Sequence, residues 1–307
     1  YCITRRYIKV FAAHLPIGVS IVRSRWTVVV VAPQEESAEI VGQVSRSWLM
    51  LIRSTSIYVL AHRLRLPLFV FYLKKGTMPS SMEQSPDDGS EKKDVYEKAE
   101  AYWAHIRCDV DGMLGGFGHL HLPDMIDSKK FISHLRAKRH LINFERAIDC
   151  GCGIGRVTKH LLLPLFKTVD MVDVTENFIA GSSTYIGEED KRVGQKFVCG
   201  LQDFEPKQRF YDLIWVQWVT GHLTDEDFER FFRRCKEGLK EGGCIVVKEN
   251  VSSSADKYDF DPEDNSWTRP KERIVQLLRM AGLSLLSDRK QTHFPRGMLA
   301  VYMFAVK

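Results

Sequence analysis

The sequence predicts an α/β fold, a Rossmann-like doubly wound sheet over residues 94–307 with an antiparallel last strand. Three observations carry this. Short apolar strands alternate with amphipathic helices. The first strand runs into a glycine-rich turn, "DCGCGIGR" at 149–156. The last two strands lie close enough in sequence to pair as a hairpin.

From Glu91, "EKKDVYEKAEAYWAHI" puts Val95, Ala99, Tyr102, Trp103 and Ile106 on one face, the mark of an amphipathic helix. "DGMLGGFGHL" is glycine-rich and reads as a loop. "DSKKFISHLRAKRHL" reads as a second helix capped by Asp127 or Ser128. Then come strand "RAIDCG", helix 155–166, strand "TVDMVDV", helix "ENFIAGSSTYIG" and strands "KFVCG" and "YDLIWVQWV". In the helix "TDEDFERFFRRCKEGL", Thr224 and Asp227 stand at capping-box spacing, with Phe228, Phe231, Phe232 and Cys235 as the buried stripe. Strand "GGCIVVKEN" precedes helix "RPKERIVQLLRMAG", which has Pro270 near its start and Gly282 past its end. "LSLLSD" and "MLAVYMFAV" finish the sheet.

The 307 residues are 44% hydrophobic and 27% charged, an ordinary globular balance. The net charge of +5 is unevenly placed. Residues 1–77 hold eleven basic against three acidic side chains, whereas the other 230 hold 33 against 36. A basic surface for nucleic acid is therefore excluded from most of the chain, and a cationic substrate suits it better. The most apolar stretch, 48–73, is broken by Arg53, Arg63 and Arg65, so no membrane span is expected. The basic extension 1–77 begins with Tyr. It reads as an organelle-targeting extension, a divergent small domain or, the reading favoured, translated sequence upstream of a start at Met78 or Met82. Residues 78–93 read as a disordered linker, rich in Pro, Ser, Asp and Lys.

Sheets of this kind bind ligands at the carboxyl ends of their parallel strands. The first strand ends in Gly151-Cys152-Gly153-Ile154-Gly155. Its G-x-G-x-G spacing brings the third glycine one residue earlier than in the dinucleotide fingerprint. This is the spacing associated with S-adenosylmethionine, although a plain glycine turn gives the same pattern. The seven scattered cysteines form no C-x-x-C pair, and Cys150 and Cys152 are too close for zinc, so no metal is expected. Asp173 ends the second strand about twenty residues later, where an acid accepts bonds from ribose hydroxyls. The next strand ends deliver Gln202 and Gln217 directly after apolar residues, and Asn250 in "KENV" after the apolar run "CIVV".

Together, "DCGCGIGR", "VDMVDVTE", "CGLQDF", "YDLIWVQWVTGHLTD" and "RRCKEGLKEGG" followed by "KEN" resemble the alpha-N-terminal protein methyltransferases, in order, over roughly 94–307. That family methylates the free α-amino group of proteins beginning Xaa-Pro-Lys. The resemblance implies a class I S-adenosylmethionine-dependent methyltransferase with amino-terminal helices covering its site. It implies residence in nucleus and cytoplasm, and protein substrates as partners, without nucleic acid or membrane.

The resemblance also implies a residue map. Gly151, Gly153 and Arg156 would hold the methionine moiety, Arg156 at its carboxylate. Asp173 would hold the ribose, with Val174 and Thr175 beside it in the cofactor site. Leu201 and Gln202 would sit at the adenine and Gln217 near the methionine end. Trp103, Leu114 and Gly115 would close over the peptide, and Trp218 would pack on its proline. Asn250 and Asp264 match the catalytic pair, with His222 beside them. Asp261 would join an acidic mouth, "DFDPED", for the substrate lysine. Leu299 stands where the family usually carries a tyrosine bonded to the peptide backbone, which implies weaker peptide binding or altered specificity.

Methyl transfer from a sulfonium needs a nitrogen lone pair. With an α-amine pKa of about 7.7–8.0, roughly a tenth is neutral at pH 7. A carboxylate or neutral histidine can take the proton while an asparagine orients the amine. Two other readings stay open on the sequence: a small-molecule methyltransferase of the same fold, and a non-catalytic reader of amino-terminal Pro-Lys. A nucleic-acid methyltransferase is disfavoured, because the fourth strand ends in "VQWV" instead of an Asn/Asp-Pro-Pro-aromatic motif.

Overall fold

The computed structural model describes the backbone of residues 19–22, 25–28, 57–59 and 70–72 and the continuous stretch 89–307, with side chains from 95 onward. The chain divides into two units, Ile8–Ser81 and a larger one containing Met82–Lys307. In the first, β1 (Val19–Val22) pairs antiparallel with β2 (Arg25–Val28), and β3 (Ile57–Val59) with β4 (Val70–Tyr72). The rest of the 1–77 extension, and residues 78–88 of the expected linker, lie outside the described residues. The last five residues of that linker are helical, because α1 (Gly89–Ala104) begins before Glu91.

The larger unit is built on a seven-stranded sheet. Its strands are β5 (Arg146–Cys150), β6 (Thr168–Asp173), β7 (Val193–Val198), β8 (Tyr211–Gln217), β9 (Leu239–Val251), β12 (Leu285–Lys290) and β13 (Ala300–Val306). Their spatial order is β12-β13-β9-β8-β5-β6-β7. The five strands from β9 to β7 run parallel, and β13 inserts antiparallel between β9 and β12. The expected hairpin is therefore present. Strand order reverses between β5 and β8, which puts the switch point over the glycine turn.

Both sheet faces are covered. On one lie α5 (Asp225–Gly238) and α6 (Lys271–Met280), with Phe228, Phe231, Phe232 and Cys235 fully buried as the stripe requires. On the other, Phe131 and Leu135 of α3 (His121–Ala137) pack with Leu161, Leu162 and Met171. α4 (Glu176–Ile186) runs from β6 back to the sheet edge. Thr224 caps α5 by accepting from the Asp227 amide at 3.1 Å. The return half of the capping box is replaced: the Asp227 carboxylate takes the hydroxyls of Tyr96 and Thr224 instead.

Three local readings need correction. The second helix starts at His121, six residues before the expected Asp127, so neither Asp127 nor Ser128 caps it. Both are buried mid-helix, where Asp127 accepts from the Thr292 amide and hydroxyl and Ser128 accepts from Lys248. The "DGMLGGFGHL" loop contains a helical turn, α2 (Val110–Met113), because Asp109 accepts from the Gly112 amide and caps it. The expected helix 155–166 is present but shorter and irregular: Arg156 and Val157 open it as α-helix, and Thr158–Leu162 widens to a π turn, where the Leu163 amide reaches back five residues to the Thr158 carbonyl.

The hairpin of β10 (Asp259–Asp261) and β11 (Ser266–Thr268) carries the acidic segment. Asn265, at its turn, donates to the Val95 carbonyl and ties the hairpin to α1.

Candidate active site

The glycine turn is dictated by backbone geometry. Gly151, Gly153 and Gly155 all have positive φ, +72°, +54° and +86°. A Cβ on Gly151 would lie 2.6 Å from that of Val219. Only glycine fits there, and a ligand can approach the backbone closely. Asp173 holds the turn in shape: its carboxylate accepts from the Gly153 amide at 2.8 Å and the Thr175 amide at 2.9 Å. Burial raises its pKa, while those amides pull it back.

A cavity opens beside this turn. Gly151, Asp173, Val174 and Thr175 form one wall, Leu201 and Gln202 a second, and Trp103 and His222 a third. Most of its expected members are thus brought together. It is also the right kind of site for a nucleoside cofactor. The Thr175 hydroxyl is buried beside it with no well-formed hydrogen bond among the described residues, although it lies near the Asp173 carboxylate. A buried hydroxyl so poorly partnered costs free energy that a ligand oxygen would offset.

Arg156 and Gln217 are placed differently. Both belong to a buried network centred on Asp124, a residue with no exposure. Asp124 accepts from Arg156 at 2.7 Å, from the Gln217 amide at 3.0 Å and from the Lys248 ammonium. The other end of Gln217 accepts from the Trp215 indole at 2.9 Å. Its amide is therefore used inside the protein, one step behind the cavity wall.

A second cleft adjoins the first and shares His222 with it. Trp218, Glu249 and Asn250 line it together with Ser266. Glu249 shapes its floor: one carboxylate oxygen accepts from the Val219 amide, the Thr220 amide and the Thr220 hydroxyl, at 2.8–2.9 Å. Asp264 is buried at the turn of the β10–β11 hairpin and accepts from the Ser266 hydroxyl at 2.7 Å. It acts electrostatically on His222.

Trp103, expected over the peptide, donates its indole N–H to Nε2 of His222 at 3.0 Å. The bond leaves the imidazole proton on Nδ1. That buried Nδ1–H has no well-formed partner among the described residues; Asp264 and the Asn265 backbone are the polar groups acting on it. Burial lowers the His222 pKa to about 4, against the opposing pull of Asp264, so the ring is neutral at pH 7.

Trp218 sits at φ +53°, a conformation that costs a bulky residue about 1–3 kcal/mol. Its ring lies 5.6 Å from the Arg156 guanidinium and 5.9 Å from the Lys248 ammonium, and it packs with Leu114 and Val301. Leu114 and Trp218 are thus brought together as expected. Gly115 follows at φ +59° and turns the chain away. Asp261 is half-exposed on β10, where it accepts from the Glu263 amide at 2.9 Å. Leu299 is half-buried immediately before β13.

Asp124, Lys248 and Glu249 carry no signal that sequence reasoning could use. Their partners are remote in the chain, and nothing local marks a lysine in "VVKEN" as buried.

Fold and site together define an S-adenosylmethionine-dependent methyltransferase. The chain matches, over residues 91–307, the family described as AdoMet-dependent proline di-methyltransferases, and it belongs to that family. It is 53% identical over 215 residues to alpha N-terminal protein methyltransferase 1 of Caenorhabditis elegans, an alignment covering 70% of this chain and 91% of the relative. It is 49% identical over 218 residues to N-terminal Xaa-Pro-Lys N-methyltransferase 1 of Mus musculus, covering 71% and 97%. Among solved structures, a SAM-dependent methyltransferase of Leishmania major superposes with a TM-score of 0.67 at 33% identity, covering 74% of this chain and 89% of that one.

Proposed function

We propose that this protein methylates the free α-amino group of proteins whose exposed amino terminus reads Xaa-Pro-Lys. The observation that carries the reading is the meeting of two openings at His222. The cavity beside the glycine turn lies on one side, and the cleft of Trp218, Asn250 and the neighbouring Asp264 on the other. Relatives that align over nearly their whole length bear the name of this activity.

S-adenosylmethionine, when bound, supplies an electrophilic methyl group on sulfur. Gly151 and Gly153 give its methionine part room beside the backbone, and Arg156 offers a cation to its carboxylate. Asp173, Val174 and Thr175 hold the ribose, and Leu201 and Gln202 flank the adenine. Gln217 acts from behind, through Asp124.

On the peptide side, Trp218 and Leu114 form the apolar seat for proline, with Gly115 keeping the loop above it open. Asp264 takes the proton that the α-ammonium must lose, and Asn250 orients the freed amine. His222, held neutral with its Nε2 occupied by Trp103, fixes the geometry around Asp264. Asp261, at the mouth, meets the substrate lysine. Nucleic acid and membrane play no part in this reading. The mildly acidic charge of the catalytic unit supports that, and among the described residues no helix is long and apolar enough to cross a membrane. Residence in nucleus and cytoplasm belongs to the same proposal, supported by the free thiols among the described residues, such as Cys108 and Cys199.

The test is mass spectrometry of a Ser-Pro-Lys peptide incubated with protein and S-adenosylmethionine. An amino-acetylated copy and a Ser-Ala-Lys copy, which lacks the proline, would run alongside. Methyl gain on the free Ser-Pro-Lys peptide alone, in steps that give the number transferred, is expected. Cofactor binding without peptide methylation would overturn the substrate assignment in favour of a small-molecule substrate or a non-catalytic reader.

A further inference from the structure

The charge arrangement behind the glycine turn assigns a task to Lys248. Among the described residues Arg156 bonds through Nη1, to Asp124 at 2.7 Å and toward His121 at 3.4 Å. Its Nε and Nη2 make no hydrogen bond among the described residues and remain for a ligand. Left alone with Asp124, Arg156 would be a neutralised pair. Such a pair has little pull on an incoming anion.

It is not left alone. Lys248, also without exposure, donates to the same carboxylate and is held there by the Ser128 hydroxyl at 2.9 Å and the Gln291 carbonyl oxygen at 2.6 Å. Gln291 is itself fixed by the Asp127 carboxylate at 3.0 Å. Two cations therefore share one directly bonded anion in a buried site; the Asp127 carboxylate, one hydrogen bond further on through Gln291, is occupied by Thr292 and paired with Lys130 at 3.5 Å. Asp149 lies near, but its carboxylate is taken up by the Thr158 amide and hydroxyl, at 2.9 and 2.7 Å.

We propose that Lys248 is a positioning residue that balances Asp124, so that Arg156 keeps a charge for the carboxylate of the cofactor's methionine part. Asp124 aims Arg156, and Lys248 prevents that aiming from cancelling its charge. The alternative is a buried ion pair that serves only the packing of α3 against the sheet. The inference rests on the reading of Arg156 under Proposed function, and its test separates the two.

Isothermal titration would compare S-adenosylhomocysteine with S-adenosyl-3-thiopropylamine, which keeps adenosine, thioether and amine and lacks only the carboxylate. Lys248→Met is expected to weaken S-adenosylhomocysteine tenfold or more and to leave the decarboxylated analogue within twofold. Lys248→Met combined with Asp124→Asn, which removes the anion too, is expected to regain most of that loss. An equal loss for both ligands in Lys248→Met would show a packing role and overturn the proposal. If Lys248→Met does not fold, Asp124→Asn carries the test. Its preference for the carboxylate-bearing ligand should be kept or strengthened, and a loss of that preference overturns the proposal. Arg156→Gln is the control on the underlying reading. If it weakens both ligands alike, the carboxylate assignment of Arg156 fails, and this inference with it.

Discussion

The indole N–H of Trp103 donates to Nε2 of His222 at 3.0 Å, which joins the helix over the cofactor cavity to the ring shared by both openings. The bond occupies the only lone pair a neutral imidazole has for accepting a proton. His222 in this state is an orienting group, and proton acceptance falls to Asp264. Trp103→Phe keeps the ring and loses the donor. With a hydrogen bond worth about 1 kcal/mol, kcat should fall about fivefold with little change in cofactor affinity. Steady-state kinetics beside cofactor titration would check this.

The pH dependence follows from the same ring. Burial holds the His222 pKa down to about 4, so the ring does not change charge between about pH 5.5 and 7.5. The substrate amine, with a pKa of about 7.7–8.0, is mostly ammonium across that range, and Asp264 accepts its proton inside the complex. The logarithm of kcat/KM should therefore be nearly flat from about pH 5.5 to 7.5, and His222→Asn should give a lower but parallel line. A profile that rises in the wild type and flattens in the variant would make His222 the titrating base.

Asp149 predicts a stability effect. Burial raises its pKa from 3.8 to about 6, against the opposing bonds from Thr158. The folded state therefore binds the proton more tightly than the unfolded state. Its contribution is fully present below pH 3.8 and is lost as pH rises through about 6. Asp149→Asn can keep one oxygen as acceptor for Thr158 and carries no charge to bury. It should stabilise the ligand-free protein at about pH 7–8 by up to about 2 kcal/mol and give no gain near about pH 4. Denaturant titrations at the two pH values would show this.

Leu299 offers a gain of function. It is half-buried immediately before β13, which pairs with the strand that carries Asn250. Leu299→Tyr adds the hydroxyl that the resemblance to the family leads one to expect at this position. One added hydrogen bond should lower the peptide KM about fivefold and leave kcat unchanged. Peptide titration at saturating cofactor is the check.

Much of this is legible in the sequence where the signal is local. β5, β6 and β8 are apolar runs with buried interiors, and their ends fall within one or two residues of the expected ones. Positive φ at Gly151 and Gly153, and the buried stripe of α5, follow from residue type and spacing. Long-range polar pairing is not legible. Asp127 and Ser128 look like caps because they are small, polar and ahead of an apolar run. They are inside the helix because Thr292 and Lys248 satisfy them. Lys248 is buried only because Asp124, 124 residues earlier in the chain, meets it there. Gln217 sits at a strand end as expected, but that position does not reveal that both ends of its amide are already used.

The most direct test of the central claim is tandem mass spectrometry that locates the methyl groups on a Ser-Pro-Lys peptide. Wild-type protein would be run beside Asn250→Ala and Asp264→Asn. The account predicts every methyl on the amino-terminal nitrogen of the peptide. It also predicts a loss of turnover of about a hundredfold or more in Asp264→Asn, the range seen when a positioned acid–base group is removed, and a loss of about a hundredfold in Asn250→Ala, which no longer orients the amine. Methyl groups on the lysine side chain, or full turnover in Asp264→Asn, would contradict it.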